Sequence, residues 1–304
     1  MALRHPAPGP PLLRRNRAGR RELPRHQRRA GAGVKTDVVL VTDTRYAGFA
    51  AVAAASMLEN CPRPDLIEVH VLHPGLTATT AARLGQVIED RGGAARFHDV
   101  TALVDVSAEY RDRTVHFYRL LAPQVLPVDV DRFVYLDCDL IVRSDVHRLA
   151  GVELDGAVVA ACQDYLGTMR EAVANHHELG LAADAPYFNS GVMVVDRQKW
   201  AAAGISDRVL QCTRANERHL HAQGRFFQYD QYALNVVLHG AITYLDRSWN
   251  FGSEYPFQEV DIVHFNGHGK PWSPTCTARF RNEFYAVLDR VGSYPNELPG
   301  GPGS

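Results

Sequence analysis

From residue 37 onward the sequence alternates between short β-rich runs and longer helix-forming stretches, and this alternation narrows the possible folds more than any other feature. "DVVLVTD" (37–43) precedes an Ala-rich helical stretch over 46–59; then come "LIEVHVLH" (66–73), a helical pattern from Thr77 to about Asp90, and "ARFHDV" (95–100). Strands separated by helices in this way form the βαβαβ pattern of a parallel sheet with helices on both faces. After a less regular stretch the sequence predicts a helix over 115–125, stopped by Pro127, and a strand over 132–137. Strands near 157–161 and 188–195, helices around 196–218 and 229–239, and strands near 241–245 and 261–265 complete the pattern, with no internal repeat.

The turn after the first strand, "VTDTRYAG", offers polar side chains where a dinucleotide-binding fold offers the glycines of G-x-G-x-x-G. A nucleotide bound here is therefore held differently. Ligands of an open α/β sheet sit at the carboxyl ends of its strands, where Asp43, Asp137, Asp139 and Asp164 all fall.

With 304 residues, 46% of them hydrophobic, the chain can bury a core as one large domain or two ordinary ones. Residues 1–36 are rich in Pro, Gly and Arg and lack periodicity, which predicts a disordered leader; a tail that contacts an anionic surface or nucleic acid is the alternative. They hold ten Lys/Arg and one acidic residue, Glu22, leaving 23 basic against 33 acidic residues in the rest, a net of about −10 that disfavours nucleic acid as a partner. The cysteines Cys61, Cys138, Cys162, Cys212 and Cys276 are scattered and never form a C-x-x-C pair, so the expectation is buried thiols in a reducing compartment. No apolar run reaches membrane-spanning length and the Arg-rich start lacks a signal segment, which predicts a cytoplasmic protein. The high Ala, Arg and Val content suggests a GC-rich bacterial source.

Four segments carry candidate chemistry. In "RFVYLDCDLIV" (132–142) Asp137 and Asp139 share one side of an extended segment while Cys138 faces away. Two carboxylates so close repel unless a cation lies between them, and their hard oxygens suit Mg²⁺ or Mn²⁺; a solvated strand end is the plainer reading. In "DIVHFNGHGKPW" (261–272) His264 ends a β-rich piece, Gly267 and Gly269 permit close backbone approach, and Lys270 is a point charge suited to phosphate; His264 is a metal ligand or an ordinary loop histidine. "YFNSGVMVVD" (187–196) places Asn189 and Ser190 ahead of an apolar strand, and "FFQYDQYALN" (226–235) places Asp230 and Gln231 near a helix start. A strand-entry turn and a helix cap are the ordinary roles for those two.

In this order and spacing the four segments resemble the retaining glycosyltransferases of family 8, over about residues 37–275. The resemblance implies a GT-A fold: a single α/β domain over 37–285 with a Rossmann-like mixed sheet flanked by helices, followed by a tail over 286–304. It implies Asp137, Asp139 and His264 as ligands of Mn²⁺, with Mg²⁺ as the alternative ion. It also implies a UDP-sugar donor contacted by Thr42, Asp43 and Tyr46 after the first strand, Tyr46 stacking on uracil. Arg119 in "FYRLLAP", the backbone of Cys138, Asp164 in "ACQD", Asn189 and Ser190 complete the donor side. Gly267 and Lys270 match the diphosphate loop, and Asp230 and Gln231 the pair beneath the anomeric carbon. The chain departs from the family pattern at Arg45, where a small polar residue is common, and at Tyr232, where an acid often follows the D-Q pair. Its C-terminus lacks the basic, aromatic tail of some lipopolysaccharide-modifying members, so the expected acceptor is a soluble small molecule or saccharide.

No isolated Glu or Asp stands out as a nucleophile, which favours same-face substitution, with the carbonyl of Gln231 steadying the anomeric carbon and the departing phosphate taking the acceptor's proton. Two alternatives are a sugar-1-phosphate nucleotidyltransferase, which would need a Gly- and Arg-rich nucleotide loop, and a non-catalytic sugar-nucleotide-binding relic, which would be expected to have lost a metal ligand. Residues 165–186 and the C-terminal segment, where acceptor selection is expected, carry no readable motif.

Overall fold

The computed structural model describes residues 33–103, 108–222 and 229–292. In chain order, β1 (Thr36–Val41) leads to α1 (Ala47–Glu59), β2 (Ile67–His73), α2 (Ala78–Glu89) and β3 (Ala94–Asp99). A 3-10 stretch over Ala108–Leu121 runs into α3 (Ala122–Val125) and β4 (Arg132–Leu136). Next come β5 (Leu140–Val142), α4 (Val146–Ala150), β6 (Val159–Thr168), α5 (Met169–Ala172) and β7 (Pro186–Asp196). Helices α6 (Arg197–Ala202), α7 (Ile205–Ala215), α8 (Glu217–Ala222) and α9 (Tyr229–Val237) precede β8 (Ile242–Leu245), β9 (Phe251–Gly252), β10 (Ile262–His264) and α10 (Ala278–Val291).

Seven strands form the central sheet in the order β3-β2-β1-β4-β7-β6-β8. The expected parallel pairing holds from β3 to β4, whereas β7 runs antiparallel to both β4 and β6, so the sheet is mixed. Alternate side chains of each strand feed two cores. Val38, Leu40, Val134 and Leu136 face α1, α2 and α10, while Val39, Phe133, Met193 and Val195 face the 3-10 stretch and α5 to α9. A second sheet, β5-β10-β9, lies against the first core. α1 is buried along nearly its whole length, and its alanines keep it slim enough to sit between the sheet and its neighbouring helices.

Three expectations need correction. The helix over 115–125 is 3-10 up to Leu121 and α only over Ala122–Val125, with Pro123 in the first α turn, where its missing amide breaks no helix bond. The leader and domain boundaries also shift: β1 begins at Thr36, inside the expected leader, and α10 runs through residue 285 to Val291. Residues 1–32 of the leader and 293–304 of the tail lie outside the described residues.

One polar residue ties the helical layer to the sheet. β4 pairs with β7 only from Val192 to Asp196. Ahead of that stretch, Asn235 of α9 acts as a substitute strand: its Oδ1 accepts from Phe188 N at 2.7 Å and its Nδ2 donates to Phe188 O at 2.8 Å. Asn235 is fully buried, so this pair of bonds fixes α9, and with it Asp230 and Gln231, against the start of β7. Replacing Asn235 by Ala strands two buried backbone groups at about 1–3 kcal/mol each. Urea unfolding of N235A should therefore show a clear drop in midpoint, and an unchanged midpoint would contradict this anchoring.

Candidate functional site

The chain builds β1, β2 and β3 outward in one direction and then returns to lay β4 on the other side of β1, so the carboxyl ends of β1 and β4 flank a switch point. Residues 42–46 leave β1 there and Asp137 leaves β4. Asp137 N donates to Gly191 O at 2.8 Å, Phe265 N donates to Asp139 O at 2.9 Å, and β10 pairs with β5 so that His264 lies opposite Leu140. These backbone bonds bring three distant segments together.

The result is a compact triad: one ligand atom from each of Asp137, Asp139 and His264 lies within 4.8 Å of the others. Each carboxylate divides its oxygens. Asp137 Oδ1 accepts from Tyr135 Oη at 2.7 Å and from Arg119 at 3.1 Å, while Oδ2 faces His264 Nε2 at 3.7 Å. Asp139 Oδ2 accepts from Lys270 Nζ at 2.5 Å, and Oδ1 faces His264 Nε2 at 3.3 Å. Cys138 turns away, its Sγ donating to Val41 O at 3.0 Å. Burial alone would raise the Asp139 pKa, but Lys270 and His264 hold it well below the usual carboxylate range. Burial disfavours a charged His264, yet Asp139 and Asp137 outweigh it and raise the imidazole above its ordinary value.

Two oxygens and one imidazole nitrogen, facing one another at the strand ends, fit a divalent cation that favours hard ligands. Gly191 keeps the space between them clear, since a Cβ there would run into His264 Cε1 and come within 2.7 Å of Asp137 Oδ2.

Arg119 is buried and binds in three directions. It donates to Ser190 O at 2.9 Å, pairs with Asp137, and places Nε 3.1 Å from Asp230 Oδ2, an ionic contact rather than an aligned hydrogen bond. Its guanidinium also lies 4.6 Å from the centre of the Tyr135 ring. Asp230 thus pairs with Arg119 from inside the first turn of α9 and does not act as its cap. Gln231 Oε1 accepts from Ser190 N at 3.0 Å and its Nε2 donates to Asp164 Oδ2 at 3.2 Å. Asp164 also accepts from Asn189 Nδ2 at 2.8 Å and Leu166 N at 2.9 Å.

After β1, Thr42 is buried and Asp43 folds its carboxylate back onto the N–H groups of Arg45 and Tyr46 at 2.9 and 3.0 Å. Arg45 pairs with Asp43 at 2.9 Å and so offsets the charge of the neighbouring acid. Tyr46 is part-exposed, stacked on Phe49, with Lys270 Nζ 5.8 Å from its ring centre. Lys270 therefore links this turn to the triad. Gly267 has φ +50°, a left-handed turn that favours glycine.

The structure thus gathers Asp137, Asp139, His264, Lys270, Arg119, Asp164, Asn189, Ser190, Asp230 and Gln231 into one connected network, with Thr42, Asp43 and Tyr46 at its edge and Gly267 in the loop between His264 and Lys270. Sequence reasoning missed Tyr135, Gly191 and Asn250. Tyr135 read as one more apolar strand residue, and only its alternation with Asp137 could have placed it on the same face. Asn250 carried no signal in "SWNF".

Residues 37–276 match the sequence profile of Glycosyl transferase family 8. General stress protein A of Bacillus subtilis (strain 168) is 24% identical over 277 residues, 83% of this chain and 92% of that protein. Lipopolysaccharide 1,2-glucosyltransferase of Escherichia coli (strain K12) is 30% identical over 172 residues, 51% of this chain and 48% of that one, so the chain spans about half the length of this relative. In three dimensions the chain resembles the galactosyltransferase LgtC crystallised with donor and acceptor sugar analogs, with TM-score 0.67 and 24% identity over 86% of this chain and 98% of LgtC.

The crowding at residue 191 yields a test. Gly191→Ala should weaken divalent-cation binding, measured by calorimetry, roughly 10–100-fold, the scale of a disturbed ligand shell, while thermal unfolding stays cooperative. Undiminished binding would show that the triad does not close around this glycine.

Proposed function

Because the chain belongs to Glycosyl transferase family 8, we propose that it transfers a hexose, galactose or glucose, from a UDP-sugar to an acceptor hydroxyl, with Mn²⁺ and with retention at the anomeric carbon. The observation that carries this reading is the convergence of Asp137 Oδ2, Asp139 Oδ1 and His264 Nε2 beside Lys270 at the carboxyl ends of the strands. Held by these residues, Mn²⁺ would supply a Lewis acid for the departing diphosphate.

The chain's own groups do the rest. Thr42, Asp43 and Tyr46 receive the nucleotide, with the exposed ring of Tyr46 available to stack on uracil. Lys270 and the backbone of the Gly267 loop meet the diphosphate, and the lysine opposes the negative charge that grows as the bond to the sugar breaks. Asp164 and Asn189 orient the sugar. Retention by a covalent intermediate would need a free carboxylate, but Asp230 is ion-paired to Arg119 and Asp164 accepts three hydrogen bonds. These engagements favour same-face substitution, in which the departing phosphate takes the acceptor's proton and Gln231, fixed through Ser190, steadies the anomeric carbon.

The acceptor in this reading is a soluble saccharide or small molecule. Among the described residues no helix is long and apolar enough to cross a membrane. The free cysteines Cys61, Cys138, Cys162, Cys212 and Cys276 suit a reducing, cytoplasmic setting in a bacterium.

Incubation with Mn²⁺ and a panel of UDP-sugars should release UDP, with galactose or glucose donors preferred. Release of pyrophosphate would instead identify a nucleotidyltransferase, and no turnover with any donor would favour a non-catalytic sugar-nucleotide binder. Asp139→Asn should lower metal-dependent UDP release roughly a hundredfold or more. Mass spectrometry during turnover should find no sugar attached to the protein, and an adduct on Asp230 or Asp164 would overturn same-face substitution.

A further inference from the structure

The amide side chains around the triad form a hydrogen-bond chain whose polarity can be deduced atom by atom. Backbone N–H groups can only donate, and two of them, from adjacent residues of β7, anchor the chain. Gly191 N donates to Asn189 Oδ1 at 2.9 Å, which fixes the orientation of that amide. The same Oδ1 lies 2.8 Å from Asn250, whose facing atom must then be the donor Nδ2. Asn250 Oδ1 is left facing His264 Nδ1 at 2.9 Å, so Nδ1 carries a hydrogen. In the neutral ring the lone pair is therefore on Nε2, the nitrogen that faces Asp137 and Asp139. On the other side, Ser190 N donates to Gln231 Oε1 at 3.0 Å, so Gln231 Nε2 donates to Asp164 Oδ2 at 3.2 Å, where Asn189 Nδ2 also donates at 2.8 Å.

We propose that Asn250 is a positioning residue that sets the tautomer of His264 for cation binding and, by the same amide, fixes Asn189 and Asp164 on the sugar side. It touches neither substrate in the functional reading above, on which the proposal rests for its catalytic consequence. Its two ends have separable duties. The oxygen serves the imidazole, and the nitrogen serves Asn189. Turning Asn250 would set its Oδ1 against Asn189 Oδ1, two acceptors facing one another whichever nitrogen of His264 carries the hydrogen, because Gly191 N already fixes the Asn189 amide.

Two variants separate the duties. Asn250→Asp keeps an acceptor for His264 Nδ1–H but opposes Asn189 Oδ1 with a second oxygen, and Asn250→Ala removes both bonds. Long-range ¹H–¹⁵N spectra of the His264 ring, recorded at alkaline pH where it is neutral, should show the Nδ1–H tautomer in wild type and N250D and a mixture in N250A. Calorimetric titration with Mn²⁺ alone should show binding weakened roughly 10–100-fold in N250A and within about threefold of wild type in N250D. UDP-galactose hydrolysis should lose roughly tenfold in kcat in N250D, with the KM for donor little changed, as expected for one lost orienting bond. A wild-type ring in the Nε2–H form overturns the proposal whether or not the protein binds Mn²⁺ or cleaves a sugar nucleotide. Equal tautomers and equal Mn²⁺ affinity in N250A and wild type overturn it too, as does an N250D that hydrolyses donor like wild type. Absence of hydrolysis in the wild type with the expected tautomers would count against the functional reading and leave the tautomer assignment standing.

Discussion

Asp137 and Asp139 repel. With ligand atoms under 4.8 Å apart, two such charges cost about 3–4 kcal/mol at an effective dielectric constant of about 20. The surrounding structure is organised to offset that cost: Arg119 pairs with the outer oxygen of one carboxylate and Lys270 with that of the other. Both cations arrive from remote parts of the chain, one from the 3-10 stretch before β4 and the other from the loop after β10. Their pairing leaves the two inner oxygens directed at His264. The geometry of the triad is therefore set by which oxygens the cations occupy.

Topology decides where this can happen. The strand order reverses between β1 and β4, the place where ligands of open α/β sheets bind, and there the antiparallel β7 adds a second set of polar groups beside β4. The small sheet contributes an imidazole, since β10 carries His264 to this point. Asn235 holds α9 to the start of β7, so Asp230 and Gln231 sit on a fixed element even though the residues just before them lie outside the described part of the chain.

Residues that announce chemistry by type and spacing were legible in the sequence. The D-x-D pair after an apolar strand, the histidine and lysine around glycines, and the D-Q at a helix start all converge. Residues whose role depends on a partner far away in sequence were not. Tyr135 reads as strand hydrophobe until its hydroxyl is seen on Asp137, and Gly191 reads as a turn glycine until a Cβ is placed between His264 and Asp137. Asn235 and Asn250 satisfy backbone groups and other amides, contacts that leave no periodic trace. The 3-10 stretch was misread because α and 3-10 periodicities differ little over short lengths.

By formal charge, a dication would fit such a network. Asp137, Asp139, Asp164 and Asp230 bring four negative charges, and Arg119 and Lys270 return two positive ones, which leaves two unmatched. Buried charges are tolerated only when paired. The protein alone meets part of the deficit by raising the pKa of His264, so that the ring can hold a proton between the carboxylates. A divalent cation at the inner oxygens would meet it in full and would compete with the His264 proton for the Nε2 lone pair. The tautomer imposed through Asn250 matters here because it keeps the ring's other proton on Nδ1, so that losing a single proton readies the nitrogen that faces both acids.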